Sequence, residues 1–248
     1  SSNNTLSGNN ITANTEHGIR FSGNSDHNSV SGNKIANNFC GILIEHSSNN
    51  IIFHNNLVEN QRHAVMQESY GNVWDDSYPS GGNYWDGYTG VDANSDGIGD
   101  TQYLIDENNR DRYPLGGSFN TFDAGIWNNL PYCIDIVSNL TVSEFQLNRI
   151  ERTISFSIVG SDYMLGFCRV TLPKIIVKDM WQDNCTVFIN GDTWPFKNLT
   201  DTENIYIYFT YQDSKHQVTI IPEFPLAIIL LLLMVLTTIT VSFNKKKN

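Results

Sequence analysis

The chain has 248 residues, of which 15 are basic and 26 acidic, for a formal net charge of −11. That length allows one large domain or two small ones with appendages. The acidic balance excludes a nucleic-acid partner, because phosphate binding needs concentrated positive charge.

The first seventy residues repeat. Leu6, Val30, Ile52 and Trp74 are spaced by 24, 22 and 22 residues, and Asn9, Asn33 and Asn55 by 24 and 22. Ile11, Ile35 and Leu57 keep that spacing, while Asn14, Asn37 and Asn60, and likewise Gly18, Gly41 and Ala64, sit 23 apart. The runs between turns are too short and too rich in Asn and Gly for helices. Short β-type runs with one coil per 22–24 residues predict a right-handed parallel β-helix over residues 1–80. Leu6, Val30 and Ile52 are expected to form one internal ladder, and Ile19, Ile42 and Val65 another. Asn9, Asn33 and Asn55 are expected at a turn, where Asn tolerates left-handed backbone and its amide can bond neighbouring coils.

His17, Cys40 and His63 are also 23 apart, which predicts their superposition on three coils. Both residue types ligate transition metals, but parallel side chains about 5 Å apart close poorly around a tetrahedral ion. The position equally suits any medium-sized side chain. Glu45 and Glu68 are expected to stack as an acidic pair, whereas Glu16, Asp26 and Glu59 are scattered and Asp75–Asp76 stands alone. Cleaving polysaccharides requires clustered carboxylates, or carboxylates with calcium and a basic residue. These coils therefore read as non-enzymatic. The chain begins within the repeat at Ser1, so it is expected to be the C-terminal part of a longer protein.

Residues 81–117 are expected to cap the solenoid, with Trp74, Tyr84, Trp85 and Tyr88 covering apolar side chains of the last coil. Within them, VDANSDGIGD places Asp92, Asn94 and Asp96 at alternate positions, then Gly97, Ile98 and Asp100. This matches the first nine positions of an EF-hand-type calcium loop, with Ile98 offering its carbonyl. Tyr103 occupies the twelfth position, where a bidentate Glu is expected, and no helices flank the loop. Asp106 or Asp111 is expected to supply the missing carboxylate of a structural calcium site. The competing reading is a loop closed by Asx turns.

The stretch GGNYWDGYTGVDANSDGIGDTQYLIDENNRDRYPL, residues 81–115, resembles the terminal signature of NosD-type β-helix proteins, also described as carbohydrate-binding and sugar-hydrolase repeats. It is especially similar to the form found in archaeal surface proteins, and the resemblance covers residues 1–117. It implies an extracytoplasmic β-helix with a glycan ligand. The family's named member assists copper-site assembly, but copper is not carried over to this chain, whose soft donors are only the His17, Cys40 and His63 stack and four dispersed methionines.

Residues 118–130 read as a linker, and 131–221 as a small antiparallel β-sandwich of six or seven strands, with alternation in Ile154, Phe156, Ile158 and in Ile205, Ile207, Phe209. Cys133, Cys168 and Cys185 share this module, which admits one disulfide among them. Asn3, Asn10, Asn139, Asn184 and Asn198 open glycosylation sequons. Residues 222–248 read as an anchor: Leu226 to Phe243 carries no charge and is followed by Lys245, Lys246 and Lys247. Its eighteen residues would span about 27 Å, enough for a single transmembrane helix with a cytoplasmic tail. The preceding IPEFPL is similar to archaeal sorting signals of the Pro-Glu-Phe type. The whole predicts an all-β, non-enzymatic, membrane-anchored surface protein that binds glycans. The alternatives are a polysaccharide lyase or hydrolase with catalytic coils upstream, or a copper-handling accessory protein.

Overall fold

The computed structural model describes residues 1–161, 165–182, 184–212 and 215–223. The predicted membrane span, Leu226 to Phe243, lies outside them. Among the described residues no helix is long and apolar enough to cross a membrane. The described residues are mostly in strands, turns and loops, with one short helix among them, Lys174–Trp181.

Residues 1–67 wind into three coils, each contributing one strand to each of three parallel sheets. Leu6 pairs with Val30 and Val30 with Ile52. Ile11, Ile35, Leu57 and Trp85 form a second ladder. Both run through a core in which Val30, Ile35, Ile52 and Leu57 are wholly buried.

The third ladder departs from expectation. Ile19 pairs with Ile42, but Ile42 pairs with Ala64, so Val65 faces the other way and pairs with Leu43. Glu45 pairs with Gln67, so no Glu45–Glu68 stack forms. His17 pairs with Cys40, whereas Cys40 pairs with Arg62, which breaks the expected His17–Cys40–His63 column. The cause is a period of 22, not 23. From Ser25 onward the equivalences between the second and third coils are spaced by 22. The first coil carries two additional residues, one between Asn14 and His17 and one between Phe21 and Ser25. Both lie at corners, where a loop absorbs an insertion without moving the flanking strands. A one-residue slip reverses every side chain in a strand.

The corners are held by side-chain amides. Asn9, Asn33, Asn55 and Asn83 form a ladder in which the backbone N–H and the Nδ2 of each residue donate to the Oδ1 of the next, at 2.9–3.1 Å. Asn4, Asn28, Asn50 and Asn72 repeat the device, as do Asn14, Asn38 and Asn60. Asn38 therefore replaces the expected Asn37 in register. Ser25, Ser47 and Ser69 form a fourth, hydroxyl ladder. The ladder asparagines do not take the left-handed backbone themselves. On the coils the residue before each one does: Gly8, Gly32 and His54 precede Asn9, Asn33 and Asn55, and Ala13, Asn37 and Glu59 precede another ladder. Left-handed backbone costs an L-residue about 1–2 kcal/mol, and glycine loses about half of that advantage to chain entropy. Ala13→Gly, at an exposed corner with φ +60°, is therefore expected to raise unfolding stability by about 0.5–1 kcal/mol, read as a higher urea midpoint.

The cap closes the solenoid with aromatics and one acid. Trp74 and Trp85 are fully buried with ring centroids 5.8 Å apart, and Tyr103 stacks on Trp85 at 4.2 Å. Asp111, also fully buried, terminates the central ladder by accepting from the backbone N–H of Asn83 at 2.7 Å, the Trp85 indole at 2.9 Å and the backbone N–H of Tyr113 at 3.0 Å. It is a ladder rung and does not reach toward the acidic loop. Asp75 pairs with Arg112 through two bonds, at 2.6 and 2.9 Å.

The expected linker holds a strand. Ser118–Trp127 hairpins onto Leu130–Ser138 and opens a five-stranded antiparallel sheet completed by Leu165–Pro173, Asn204–Gln212 and Lys197–Thr200. A second five-stranded sheet faces it, and Ile134, Ile136, Val170 and Phe209 of the first pack against Phe156, Ile158, Val218 and Ile220 of the second. All four cysteines are free. Ser138 pairs with Cys168, which leaves Cys133 five positions along the strand, about 17 Å away and far beyond disulfide reach.

Solenoid and sandwich meet over Ile98, Leu115 and Val137, flanked by Tyr84, Phe119 and Phe167. The Asn56 amide donates to Phe119 O at 2.8 Å and accepts from Phe119 N at 2.7 Å. His54 stacks on the Phe119 ring at 4.3 Å, and burial pulls its pKa down to about 4, which keeps the ring neutral.

Candidate functional site

Three features of the described chain have the chemistry of a site: the acidic loop, a groove along the solenoid, and a cavity where the loop meets the sandwich.

The loop folds upon itself. The Asp92 carboxylate accepts from the backbone N–H of Asp96 at 3.0 Å and of Gly97 at 2.8 Å. Asp96 accepts from the N–H of Ile98 at 2.9 Å and from the Asn94 amide at 3.1 Å, and Asp100 from the N–H of Ala93 at 2.7 Å. Three carboxylates and one amide therefore share a single turn. Asp106 lies apart, closing its own turn with Asn108 and Asn109. Among the described residues no three acidic, His or Cys side chains are disposed to hold a metal ion. Holding calcium would require the Asp92, Asp96 and Asp100 carboxylates to use lone pairs beyond those that accept these N–H groups. Gly97, at φ +85°, packs against the sandwich, where an added Cβ would stand 2.9 Å from Arg169 Cδ.

The groove, of about 720 Å³, runs along one corner of the solenoid. Ala13, Asn37, Glu59 and Asp86 mark successive levels of its wall, and the Asn14, Asn38 and Asn60 ladder forms its floor. Phe39 stands into it, 46% exposed, with the Arg62 guanidinium 5.9 Å from its ring centroid. Glu59 N donates to Asp86, whose other oxygen bonds His63 Nε2 at 2.7 Å. No local sequence signal marks this His63–Asp86 pair, because Asp86 belongs to the cap and reaches the third coil only after the fold closes.

The cavity, of about 170 Å³, is bordered by Tyr78, Asn94 and Asp96 on the cap side and by Arg169, Lys197 and Tyr208 on the sandwich. Burial, then Asp96, push the Tyr78 phenol up to about 12.

The same geometry decides the copper donors. Cys40 is buried with its thiol turned to Ile42 O at 3.4 Å, burial holds its pKa above the usual value, and His63 is committed to Asp86. A soft-metal site needs convergent thiolate and imidazole donors, and His17, Cys40 and His63 do not converge.

Residues 1–90 match the family model described as periplasmic copper-binding protein, NosD. The match spans the three coils and the start of the cap, so this part of the chain is similar to the NosD family and is a β-rich repeat. No curated protein and no solved structure matches the chain. The sequons Asn3, Asn10, Asn139, Asn184 and Asn198 are all exposed, although the Asn139 amide is bonded both to Leu165 O and to Phe167 N, each at 3.0 Å.

Proposed function

We propose that the chain is an extracytoplasmic surface protein, tethered by its C-terminal segment, whose right-handed solenoid binds extended glycans without cleaving them. The observation that carries this reading is the groove. It offers a side-chain amide at each of the three coils, with the carboxylates of Glu59 and Asp86 at one end, beside one exposed aromatic ring. Solenoids use such extended surfaces for recognition, and a wall that repeats about every 4.8 Å suits a polymer with repeating hydroxyls. The periplasmic description of the matched family agrees with an external location.

The test is glycan-array binding by the full chain and by Phe39→Ala. The ring is half-exposed, so its loss is expected to leave stability within about 0.5 kcal/mol while lowering glycan binding at least tenfold. Equal binding by the two proteins would remove the groove from the reading.

Calcium in the loop of Asp92, Asn94, Asp96, Ile98 and Asp100 belongs to the same proposal, as a structural ion bracing the junction. Asp106 is the less suited sixth ligand, since both its oxygens serve Asn109. Carboxylates drawn together repel until a cation neutralises them. At a hundredfold excess over its dissociation constant, calcium is expected to add about 2.7 kcal/mol to stability. Asp96→Asn is expected to abolish that gain. An unfolding temperature that is the same in calcium and in EDTA would show that the loop's own N–H groups are its only partners.

A further inference from the structure

Arg169 is 1% exposed, yet among the described residues no carboxylate lies within ion-pair distance of it. Its Nη1 donates to Ser80 O at 3.4 Å, its Nη2 to Pro79 O, and its Nε has no partner. The guanidinium carbon lies 4.2 Å from the Tyr206 ring centroid. A guanidinium carries five N–H donors, and two contacts to carbonyls satisfy neither the remainder nor the charge. Burying a cation without an anion is unfavourable, and this one borders a cavity. Lys197 stands at the same cavity, held by Nζ to Asn94 O at 3.2 Å. The one carboxylate in the lining, Asp96, attracts the guanidinium through space but forms no ion pair with it, and its oxygens accept from Ile98 N, the Asn94 amide and the Tyr78 hydroxyl.

We propose that this cavity is a second binding site, separate from the groove, for a single carboxylated sugar ring of the uronate class. Arg169 and Lys197 receive the carboxylate, because a guanidinium fork matches its two oxygens. Tyr78 and Tyr208 supply ring surface and hydroxyls for the pyranose, and Asn94 supplies an amide. A volume of about 170 Å³ is below the roughly 300–1,000 Å³ of drug-sized sites, which limits the occupant to about one ring. The net charge of −11 repels anions at long range, so selection rests on the short contacts within the cavity.

Isothermal titration of the full chain with glucuronate, glucose and acetate tests this. Glucuronate is expected to bind at least tenfold more tightly than either glucose, which lacks the carboxylate, or acetate, which lacks the ring. Arg169→Met is expected to abolish glucuronate binding. Lys197→Met, on the exposed side and independent of the core, is expected to weaken it at least threefold and decides the matter if the Arg169 variant does not fold. Phe39→Ala is expected to leave glucuronate affinity unchanged, whatever its effect on glycan-array binding. Glucose or acetate equalling glucuronate, full affinity in Lys197→Met, or loss of affinity in Phe39→Ala would each overturn the assignment.

Discussion

Replacing Asn55 with Ala is expected to destabilise the solenoid by about 3–5 kcal/mol, well beyond the roughly 1 kcal/mol of an average substitution. Asn55 is wholly buried and sits in the middle of the central ladder. Its Nδ2 donates to Val30 O, Phe53 O and Asn83 Oδ1, at 2.9, 2.9 and 3.0 Å. Its Oδ1 accepts from both the backbone and the side-chain nitrogen of Asn33, at 3.1 and 2.9 Å. Alanine would remove all of these at once and leave buried carbonyls and N–H groups without water, each costing about 1–3 kcal/mol. Asn9 holds the same place on the exposed first coil, where solvent can replace its bonds. Asn9→Ala is therefore expected to cost less than about 1 kcal/mol. Urea unfolding of the two variants side by side is the measurement. An Asn55 variant within about 1 kcal/mol of the parent would mean that side-chain amides do not hold the coils in register.

The second large effect lies at Asp111. Asp111→Ala strips partners from Asn83 N, the Trp85 indole and Tyr113 N together, so a loss of about 3–4 kcal/mol is expected. The same carboxyl carries a pH dependence. Burial pushes it up to about 7, against the pull of those three donors, while the unfolded chain titrates near 3.8. Between these values the folded state holds a proton that the unfolded state has released. Stability from this group is thus complete below about pH 4 and is lost as pH rises toward 7, by roughly 4 kcal/mol at most. His54, held near 4 by burial, works in the opposite sense and loses stability as pH falls through 6.5 toward 4. Subtracting the Asp111→Asn profile from the parent's isolates the first contribution. A difference that stays flat between pH 4 and 7 would show the carboxylate ionised throughout and fully satisfied by its donors.

The repeat was legible because its signals are local. Glycine or another left-handed residue followed by Asn marks each corner, as in Gly8–Asn9 and Gly32–Asn33, and aliphatic residues at fixed offsets mark the core. The same cue, applied to every pair, would also have located the Asn4, Asn28, Asn50 and Asn72 ladder. Reading an average period of 23 instead of 22 with two corner insertions misplaced Val65, His63, Asn37 and Glu68 by one residue. The Asn, Asp and Gly content of Ser118–Trp127 resembles that of a linker, and only pairing with Leu130–Ser138 makes it a sheet edge.

By itself, then, the sequence determined the all-β character, the coil repeat, two of the three aliphatic ladders and the aromatic cap. Each depends on periodicity and on which side chains avoid water, and both can be read along the chain. Tertiary structure alone decided what the polar side chains meet. Asp111 became a ladder rung because the cap returns it to Asn83, 28 residues earlier. Arg169 became a buried cation beside a cavity because its strand lies against carbonyls about 90 residues away. Hydrogen bonds and ion pairs act over a few ångströms, so their partners are set by where the folded chain brings distant segments together.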